Sequence, residues 1–306
     1  MPAFLEQRSA STTWLYRAGP TWVVAVLVHA GFLTLTWFAS ALPAIVVVVA
    51  GATILAWHGS LQHEATHGQL APWRWLNDLV AILPLGLWVP YPIYRSTHRA
   101  HHDFEILTDP WRDPESFYVD RATWQRLPAP VRRLLTFHNT LLGRLTIGPA
   151  LVIGQFWWLE FRALQRGDRQ NLGAWLWHLP LVLLVLAWVV GVAAVPLPLY
   201  LLTVYAGVSL TLVRSFAEHK AAHTPFERTA IVEAGGFFSL LFLNNNLHFA
   251  HHRRPDLPWH ALPAYWRANR RALLAENGGL HYRSGYREIL GRFLLRPVDD
   301  PVHPYA

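Results

Sequence analysis

The chain has 306 residues, of which 53% are hydrophobic and 15% are charged, and it contains no cysteine. This composition is more apolar than that of a typical soluble domain, and the absence of cysteine excludes disulfides, iron–sulfur clusters and thiolate metal ligands. The net charge of +7 fits cationic loops beside membrane spans, and since no nucleic-acid-binding motif accompanies it, no nucleic-acid partner is predicted.

Four apolar runs predict an all-α integral membrane protein that forms a single domain over residues 1–306. Each run has about the length that a helix needs to cross the hydrocarbon core of a bilayer. Short, uncharged links join the first run to the second and the third to the fourth, which predicts two helical hairpins. The predicted spans are residues 21–38, 42–57, 174–195 and 197–213.

The N-terminal run also has features of a cleavable signal peptide. Arg8 and Arg17 precede it, and Ala39-Ser40-Ala41 follows it. The run is long for a signal peptide and a second span follows at once, so it is interpreted as a retained membrane helix.

The distribution of positive charge predicts the orientation in the membrane. All Lys and Arg residues lie in the N-terminal segment, in residues 74–169, or from Arg214 onward. By the positive-inside rule these regions and both termini are cytoplasmic, in an inner membrane of the bacterial type. Residues 58–170 and 214–306, which carry most of the histidines, would then form a cytoplasmic cap.

Two further apolar stretches, Leu79–Tyr94 and Leu145–Leu159, are interpreted as re-entrant or interfacial helices. Such segments are tolerated where they pack against protein or lie in the interface. If the first stretch crossed the membrane, the histidines before and after it would lie on opposite sides and could not share a metal site.

Histidines recur at spacings that place them on one face of a helix. His63 and His67 are four residues apart, and the pattern HxxHH occurs at His98–His102 and again at His248–His252. Residues at i, i+3 and i+4 converge on a helix surface. With 17 histidines in 306 residues, about 0.05 copies of HxxHH are expected by chance, so two copies indicate a built site.

The number of clustered histidines predicts two metal ions. Imidazole is a ligand for zinc, copper, iron and nickel, and a single zinc site takes three or four protein ligands. Nine ligands are too many for one metal and suit two, with positions left open for oxygen. The predicted ligands are His63, His67, His98, His101, His102, His219, His248, His251 and His252. Ordinary hydrogen-bonding or structural roles are expected for His29, His138, His178 and His303. His58 and His223 are interpreted as candidate partners of the ligand histidines and not as ligands.

These motifs resemble the three histidine boxes of membrane fatty acid desaturases, acyl-lipid hydroxylases and carotenoid ketolases. The boxes read His63-Glu64-Ala65-Thr66-His67, His98-Arg99-Ala100-His101-His102 and His248-Phe249-Ala250-His251-His252. Three further segments are similar to desaturase segments: Thr108–Glu115, Arg214–His219, which would supply an additional histidine, and Asn244–Leu247. The resemblance covers roughly residues 55–265. One departure is Ser215, where some animal-type acyl-CoA desaturases have an asparagine that contacts iron through water.

The resemblance implies two ferrous ions and O₂-dependent removal of hydrogen from an unactivated C–H bond of a lipid or acyl substrate. Fatty acyl desaturation is favoured, and a hydroxylase or ketolase acting on a lipid or carotenoid is the alternative. A non-catalytic membrane metal-binding or transport protein is a third reading, disfavoured because the spans carry few ionisable residues. No cytochrome-like domain is fused to the chain, so electrons would come from a separate ferredoxin- or cytochrome-type protein. The basic cap could meet that donor or anionic membrane lipids.

Polar residues near the boxes are predicted to orient the histidine ligands. Carboxylates and amides commonly accept the second N–H of a ligand histidine and so fix its tautomer and ring orientation. The candidates are Glu64, Asp109, Asp113, Glu115, Glu218, Ser215 and Asn244. The nearby tryptophans would line a substrate tunnel or, as favoured for most of them, form an interfacial aromatic belt; they are Trp57, Trp73, Trp75, Trp88 and Trp111.

Overall fold

The computed structural model describes the backbone of residues 2–306 and the side chains of Trp14 and residues 17–306. Nearly all its regular structure is helical. The helices are α1 Pro2–Trp37, α2 Ala44–Thr66, α3 Arg74–Ala81, α4 Tyr91–His101, α5 Arg121–Arg126, α6 Ala129–His138, α7 Leu141–Thr146, α8 Gly148–Gln165, α9 Leu172–Leu186, α10 Leu197–Ser215, α11 Gly236–Leu241, α12 His248–Arg253, α13 Leu262–Glu276 and α14 Tyr286–Phe293. Strands β1 Ile231–Val232 and β2 His281–Tyr282 pair in parallel.

Four helical segments in the described part of the chain are long and apolar enough to cross a membrane. They are Arg17–Trp37, Ala44–Thr66, Leu172–Val192 and Leu197–Ser215. The third continues from α9 through a π-helical turn at Ala187–Val192. The prediction of an all-α membrane protein with four candidate spans is confirmed, while the arrangement of these spans as two hairpins across a bilayer stays a prediction.

The helix of the second span continues beyond the predicted span of residues 42–57 and carries most of the first histidine box. Helix α2 runs on past residue 57 to Thr66, so that His63 lies within the same helix as the apolar residues. It packs closely against α10, where a Cβ added to Gly207 would lie 2.8 Å from Leu55 Cβ. A side chain on Gly51 would similarly collide with Thr203. Small residues permit this close approach of two helices in a membrane.

The outward faces of the candidate spans are apolar. Val23, Val26 and Leu27 are exposed on α1, and Leu176 and Leu183 are exposed on α9. Extended apolar surface of this kind marks a region that contacts lipid or another protein. The pattern is that of helices whose outer surface faces the hydrocarbon core.

The apolar stretch Leu79–Tyr94 is not a continuous helix, because its backbone is irregular between α3 and α4. Three side chains bind its carbonyl oxygens: Tyr200 donates to Leu85 at 2.6 Å, His178 to Leu87 at 2.9 Å, and Trp157 to Trp88 at 2.8 Å. Irregular backbone at membrane depth requires such partners within the protein. Neither this stretch nor α8 is among the candidate spans, and the re-entrant or interfacial interpretation stays a prediction.

The segment after α10 completes the cap around the histidines. Short α12 carries the third box, and Phe249 on this helix is fully buried. Its backbone is fixed to the residue that precedes β1 by the hydrogen bond from Phe249 N to Ala230 O, 3.0 Å long. The third box is therefore held in place by the small β1–β2 pair and by α13.

Candidate metal centre

The nine predicted histidines come together in two groups, and the ligand nitrogens within each group lie within 4.8 Å of one another. The group of five is His63, His67, His98, His102 and His251, and the group of four is His101, His219, His248 and His252. The two groups are adjacent, since the rings of His102 and His252 stack with their centroids 4.3 Å apart.

Helical spacing explains how each HxxHH box serves both groups. In the second box, His98 and His102 are one turn apart and enter the group of five, whereas His101 enters the group of four. In the third box the assignment is reversed: His248 and His252 enter the group of four, and His251 enters the group of five. Residues four apart point in a common direction along a helix, and the intervening residue points to the neighbouring group.

The ring nitrogens in the group of five are spaced like ligands of one ion. His98 Nε2 lies 3.2 Å from His67 Nε2 and 3.1 Å from His102 Nε2. His251 Nε2 lies 3.2 Å from His102 Nε2. Nitrogens at about 2.1 Å from a metal and at right angles to each other are about 3.0 Å apart. The spacing therefore fits a shared cation.

The group of four has the same spacing. His219 Nε2 lies 2.9 Å from His101 Nε2 and 3.0 Å from His248 Nε2, and His252 Nε2 lies 3.1 Å from His248 Nε2. His219 is thus at the centre of this group. It comes from the segment after α10, which the sequence identified through a single additional histidine rather than through a box.

The hydrogen bonds made by the Nδ1 atoms of His101 and His219 explain why the Nε2 atoms of these two rings need a cation between them. His101 Nδ1 donates to Asp113 Oδ1 at 2.8 Å, and His219 Nδ1 donates to the carbonyl oxygen of Arg228 at 3.3 Å. A neutral imidazole has one N–H, so both Nε2 atoms carry a lone pair. When both rings are neutral, the two lone pairs face each other at 2.9 Å and repel unless a metal ion lies between them, and without a metal the same gap is bridged by a proton on His101 Nε2. The donor set therefore fits a metal.

The protonation of the rings agrees with this role. Burial lowers the pKa of most of the histidines outside the candidate spans, and neighbouring histidines add to this effect, which favours the neutral, metal-binding form. They are His67, His98, His102, His219, His248, His251 and His252. Burial acts in the same direction on His101, but Glu115 and Asp113 outweigh it and raise its pKa to about 9. Metal binding at His101 Nε2 would therefore displace a proton.

Four of the seven predicted orienting residues lie against the histidines. Besides Asp113 at His101, Glu115 Oε1 is 3.0 Å from His98 Nδ1. Longer contacts place a glutamate Oε1 at 3.4 Å from a histidine Nδ1 for the pairs Glu64–His63 and Glu218–His248. These carboxylates occupy the positions at which an acceptor fixes the ring orientation.

The structure does not bring the other three orienting candidates to the rings. Asp109 Oδ1 instead accepts the backbone N–H groups of Trp111 and Arg112 in a turn. Ser215 Oγ faces the carbonyl oxygen of Leu212 at 3.5 Å, and Asn244 Nδ2 donates to the carbonyl oxygen of Trp259 at 3.0 Å. Each of these three side chains contacts backbone atoms, and none forms a hydrogen bond with a histidine ring of the described residues.

Asn245, which is not among the predicted orienting residues, lies between the two groups. Its side chain is 3.2 Å from His63 Nε2 in the group of five and accepts from His248 Nδ1 at 3.1 Å in the group of four. Asn244 has a positive φ of 56°. The chain turns at this residue, and the next asparagine is the one that faces the histidines.

The remaining histidines lie outside both groups. His29 Nδ1 donates to the carbonyl oxygen of Ala25 at 2.8 Å, and His303 is 3.1 Å from the hydroxyl of Thr108. His223 stacks on Tyr305, and the ring of His58 meets that of His29 edge-on. His178 binds the irregular segment described above, and His138 is buried close to Gly148.

A cavity of about 330 Å³ opens beside the group of four and is lined in part by His101 and His219. Its apolar wall is formed by residues of α2, the irregular segment, α8 and α10, including Trp88, Phe156 and Val208. Among the five tryptophans near the boxes, Trp88 lines the cavity, whereas Trp73, Trp75 and Trp111 are exposed. The volume and lining are those of a ligand site for an apolar molecule.

The fold and the site define a helical membrane protein with two adjacent histidine groups suited to metal binding. A family model described as fatty acid desaturase matches residues 36–286, which is most of the chain. The protein belongs to the fatty acid desaturase family, and the resemblance seen in the histidine boxes is confirmed. The family is one of oxidoreductases that typically use iron, and nitrogen ligands from histidine suit that metal. No curated protein sequence matches the chain.

Proposed function

We propose that the protein catalyses the O₂-dependent oxidation of an unactivated C–H bond in a lipid-like substrate, and that the reaction is desaturation of a fatty acyl chain. The observation that carries the proposal is the convergence of nine histidines into two adjacent groups beside an apolar cavity. The nine histidines would hold two iron ions, five on one side and four on the other. When bound, iron supplies the oxidative chemistry, which amino-acid side chains cannot provide.

The protein itself would bind the substrate, orient it and exclude water. The apolar wall around Trp88, Phe156 and Val208 suits a hydrocarbon chain and leads it past His101 and His219. Asp113 and Glu115 hold the Nδ1 protons of His101 and His98, so that the Nε2 lone pairs of these rings point inward. Fixed rings and a dry, shaped cavity are what a metal site requires from its protein.

Hydroxylation or ketone formation on the same scaffold is the alternative, because a histidine-ligated pair of iron ions serves all these reactions in the superfamily that the boxes resemble. To test the proposal, iron-loaded protein would be incubated with O₂, an electron donor and candidate lipids, followed by mass spectrometry. A product lighter by two hydrogens supports desaturation, and a product heavier by one oxygen supports the alternative. One bound zinc, no iron and no consumption of O₂ would refute both and favour a non-catalytic metal-binding protein.

Electrons would come from a separate ferredoxin- or cytochrome-type protein that docks on the cap. Exposed arginines adjoin the boxes directly: Arg99 follows His98, and Arg253 follows His252. A basic surface of this kind attracts an acidic carrier and raises the rate of encounter. Placement of the cap in the cytoplasm rests on the positive-inside rule, and protease accessibility of the cap in inverted and right-side-out vesicles would test it.

A further inference from the structure

A buried arginine occupies the wall of the cavity without a charged partner. Arg144 on α7 is only 2% exposed and lines the cavity together with His101, His219 and Trp88. Its Nε donates a long hydrogen bond of 3.4 Å to the carbonyl oxygen of His138, and its Nη1 is buried without a hydrogen-bond partner among the described residues. A buried charge that lacks a counter-ion is costly, so this arrangement calls for an explanation.

Arg214, the second arginine in the cavity wall, has the charged partner that Arg144 lacks. Arg214 is also buried, but its Nε lies 3.2 Å from Glu218 Oε1, so its charge is balanced. No carboxylate among the described side chains forms an ion pair with Arg144. Asp299 lines the same cavity, yet it accepts the hydroxyl proton of Tyr118 at 2.7 Å.

The guanidinium is held in place by aromatic rings. Its central carbon lies 3.8 Å from the ring centroid of Phe117 and 5.6 Å from that of Phe216. Such cation–π contacts fix the plane of the group and leave its donors available in the plane. Burial lowers the pKa of Arg144 to about 9, so the group is still a cation at neutral pH.

We propose that Arg144 binds the free carboxylate of the substrate, so that the lipid taken up in this cavity is an unesterified fatty acid or a similar long-chain carboxylate. This inference rests on the proposed function and adds the head-group class to it. A carboxylate supplies one negative charge and two coplanar oxygens, which matches one unpaired guanidinium. A thioester or a glycerol ester has no charge at that carbon and would leave Arg144 unpaired. A phosphate carries up to two negative charges, more than one guanidinium balances.

Binding without turnover tests the inference. Iron-loaded protein in detergent, with no electron donor, would be titrated with hexadecanoate, methyl hexadecanoate and hexadecyl phosphate in competition with radiolabelled hexadecanoate. We expect the acid to bind about 30-fold or more tightly than the ester. A buried charge left unpaired costs at least the roughly 2 kcal/mol of binding free energy to which that ratio corresponds. Equal binding of acid and ester, or tighter binding of the phosphate, would overturn the proposal.

Variants then assign the effect to this residue. In Arg144→Gln the preference for acid over ester should disappear, and in Arg144→Lys, which keeps the charge but loses the planar fork, it should shrink but persist. Arg126→Gln, which changes an exposed arginine on α5, should bind like the unchanged protein. Thermal unfolding would show whether the Arg144→Gln protein is folded. If the folded variant still prefers the acid, another group recognises the carboxylate.

The outcome is separable from that of the proposed function. An acid preference that depends on Arg144, combined with no O₂-dependent product, would leave the head-group inference in place and remove the proposed reaction. If the protein oxidises an ester and binds acid and ester equally well, the proposed reaction stands and the head-group inference is refuted.

Discussion

The two histidine groups differ in how firmly the protein orients them. In the group of four, three of the four rings have an acceptor at Nδ1: Asp113 for His101, the backbone at Arg228 for His219, and Asn245 for His248. In the group of five, close acceptors are fewer, and Glu115 at His98 is the short one. The smaller group thus compensates for its fewer ligands with fixed rings, and it is also the group that borders the cavity.

Removal of a ligand should have the largest effect in both groups. We expect His101→Ala and His251→Ala to abolish turnover, with His101→Ala losing more iron because only three histidines remain in its group. Iron per chain and product formation would be measured. His223→Ala, which changes a ring stacked on Tyr305 away from both groups, should retain iron and activity. Full activity in the His101 variant would refute the ligand assignment.

Replacement of an orienting carboxylate should have a smaller effect that differs between the groups. Asp113→Asn replaces the charged acceptor 2.8 Å from His101 with a weaker, neutral amide and should lower iron affinity or activity by about 10- to 100-fold. Glu64→Gln, at 3.4 Å from His63, should cost less. Iron affinity would be compared by competition with a chelator. The reverse order of effects would show that the group of five is the more strongly oriented.

Asn245→Leu tests the residue that touches both groups. The substitution keeps the approximate volume but removes the acceptor of His248 Nδ1, whose other neighbour is Glu218 at 3.4 Å. We expect a loss of iron affinity of about tenfold, at the lower end of the effect of such partners. Spectroscopy of the iron-loaded protein should show that both ions are perturbed. A change confined to one ion would mean that the contact between Asn245 and His63 does not transmit the effect to the ion held by the group of five.

Thr229→Val should have the smallest effect. The hydroxyl of Thr229 is 3.3 Å from His219 Nδ1, but the carbonyl oxygen of Arg228 lies at the same distance and remains in the variant. The loss in iron affinity should therefore stay below about tenfold, which is less than the loss expected when the only hydrogen-bond partner of a ligand histidine is removed. A larger loss would show that the hydroxyl, rather than the backbone, fixes the ring at the centre of the group of four.

Much of the site could be predicted from the sequence because its information is local. The boxes lie on helices, where spacing alone decides which histidines share a face, and the apolar runs define the candidate spans by composition. The choice between Asn244 and Asn245 could not be predicted, because it depends on a positive φ at Asn244 that a run of three asparagines does not reveal. The predicted span of residues 42–57 follows the apolar run alone, and α2 continues beyond that run to Thr66 because polar residues do not end a helix.

Arg144 could not be identified from the sequence for a different reason. Arginine in a basic chain is expected at a solvated surface, and nothing beside it in the sequence indicates burial. Its environment is made by Phe117 and Phe216, which come from distant parts of the chain. Only the tertiary fold brings these rings around the guanidinium.

The glycine contacts between α2 and α10 limit how far the protein can be truncated. Gly51 and Gly207 allow the two helices to lie against each other without intervening side chains. The same two helices lead into the site, since α2 carries His63 and α10 ends shortly before His219. The metal-binding cap therefore cannot be excised as a water-soluble enzyme, and a minimal version must retain this helix pair together with an apolar environment around it.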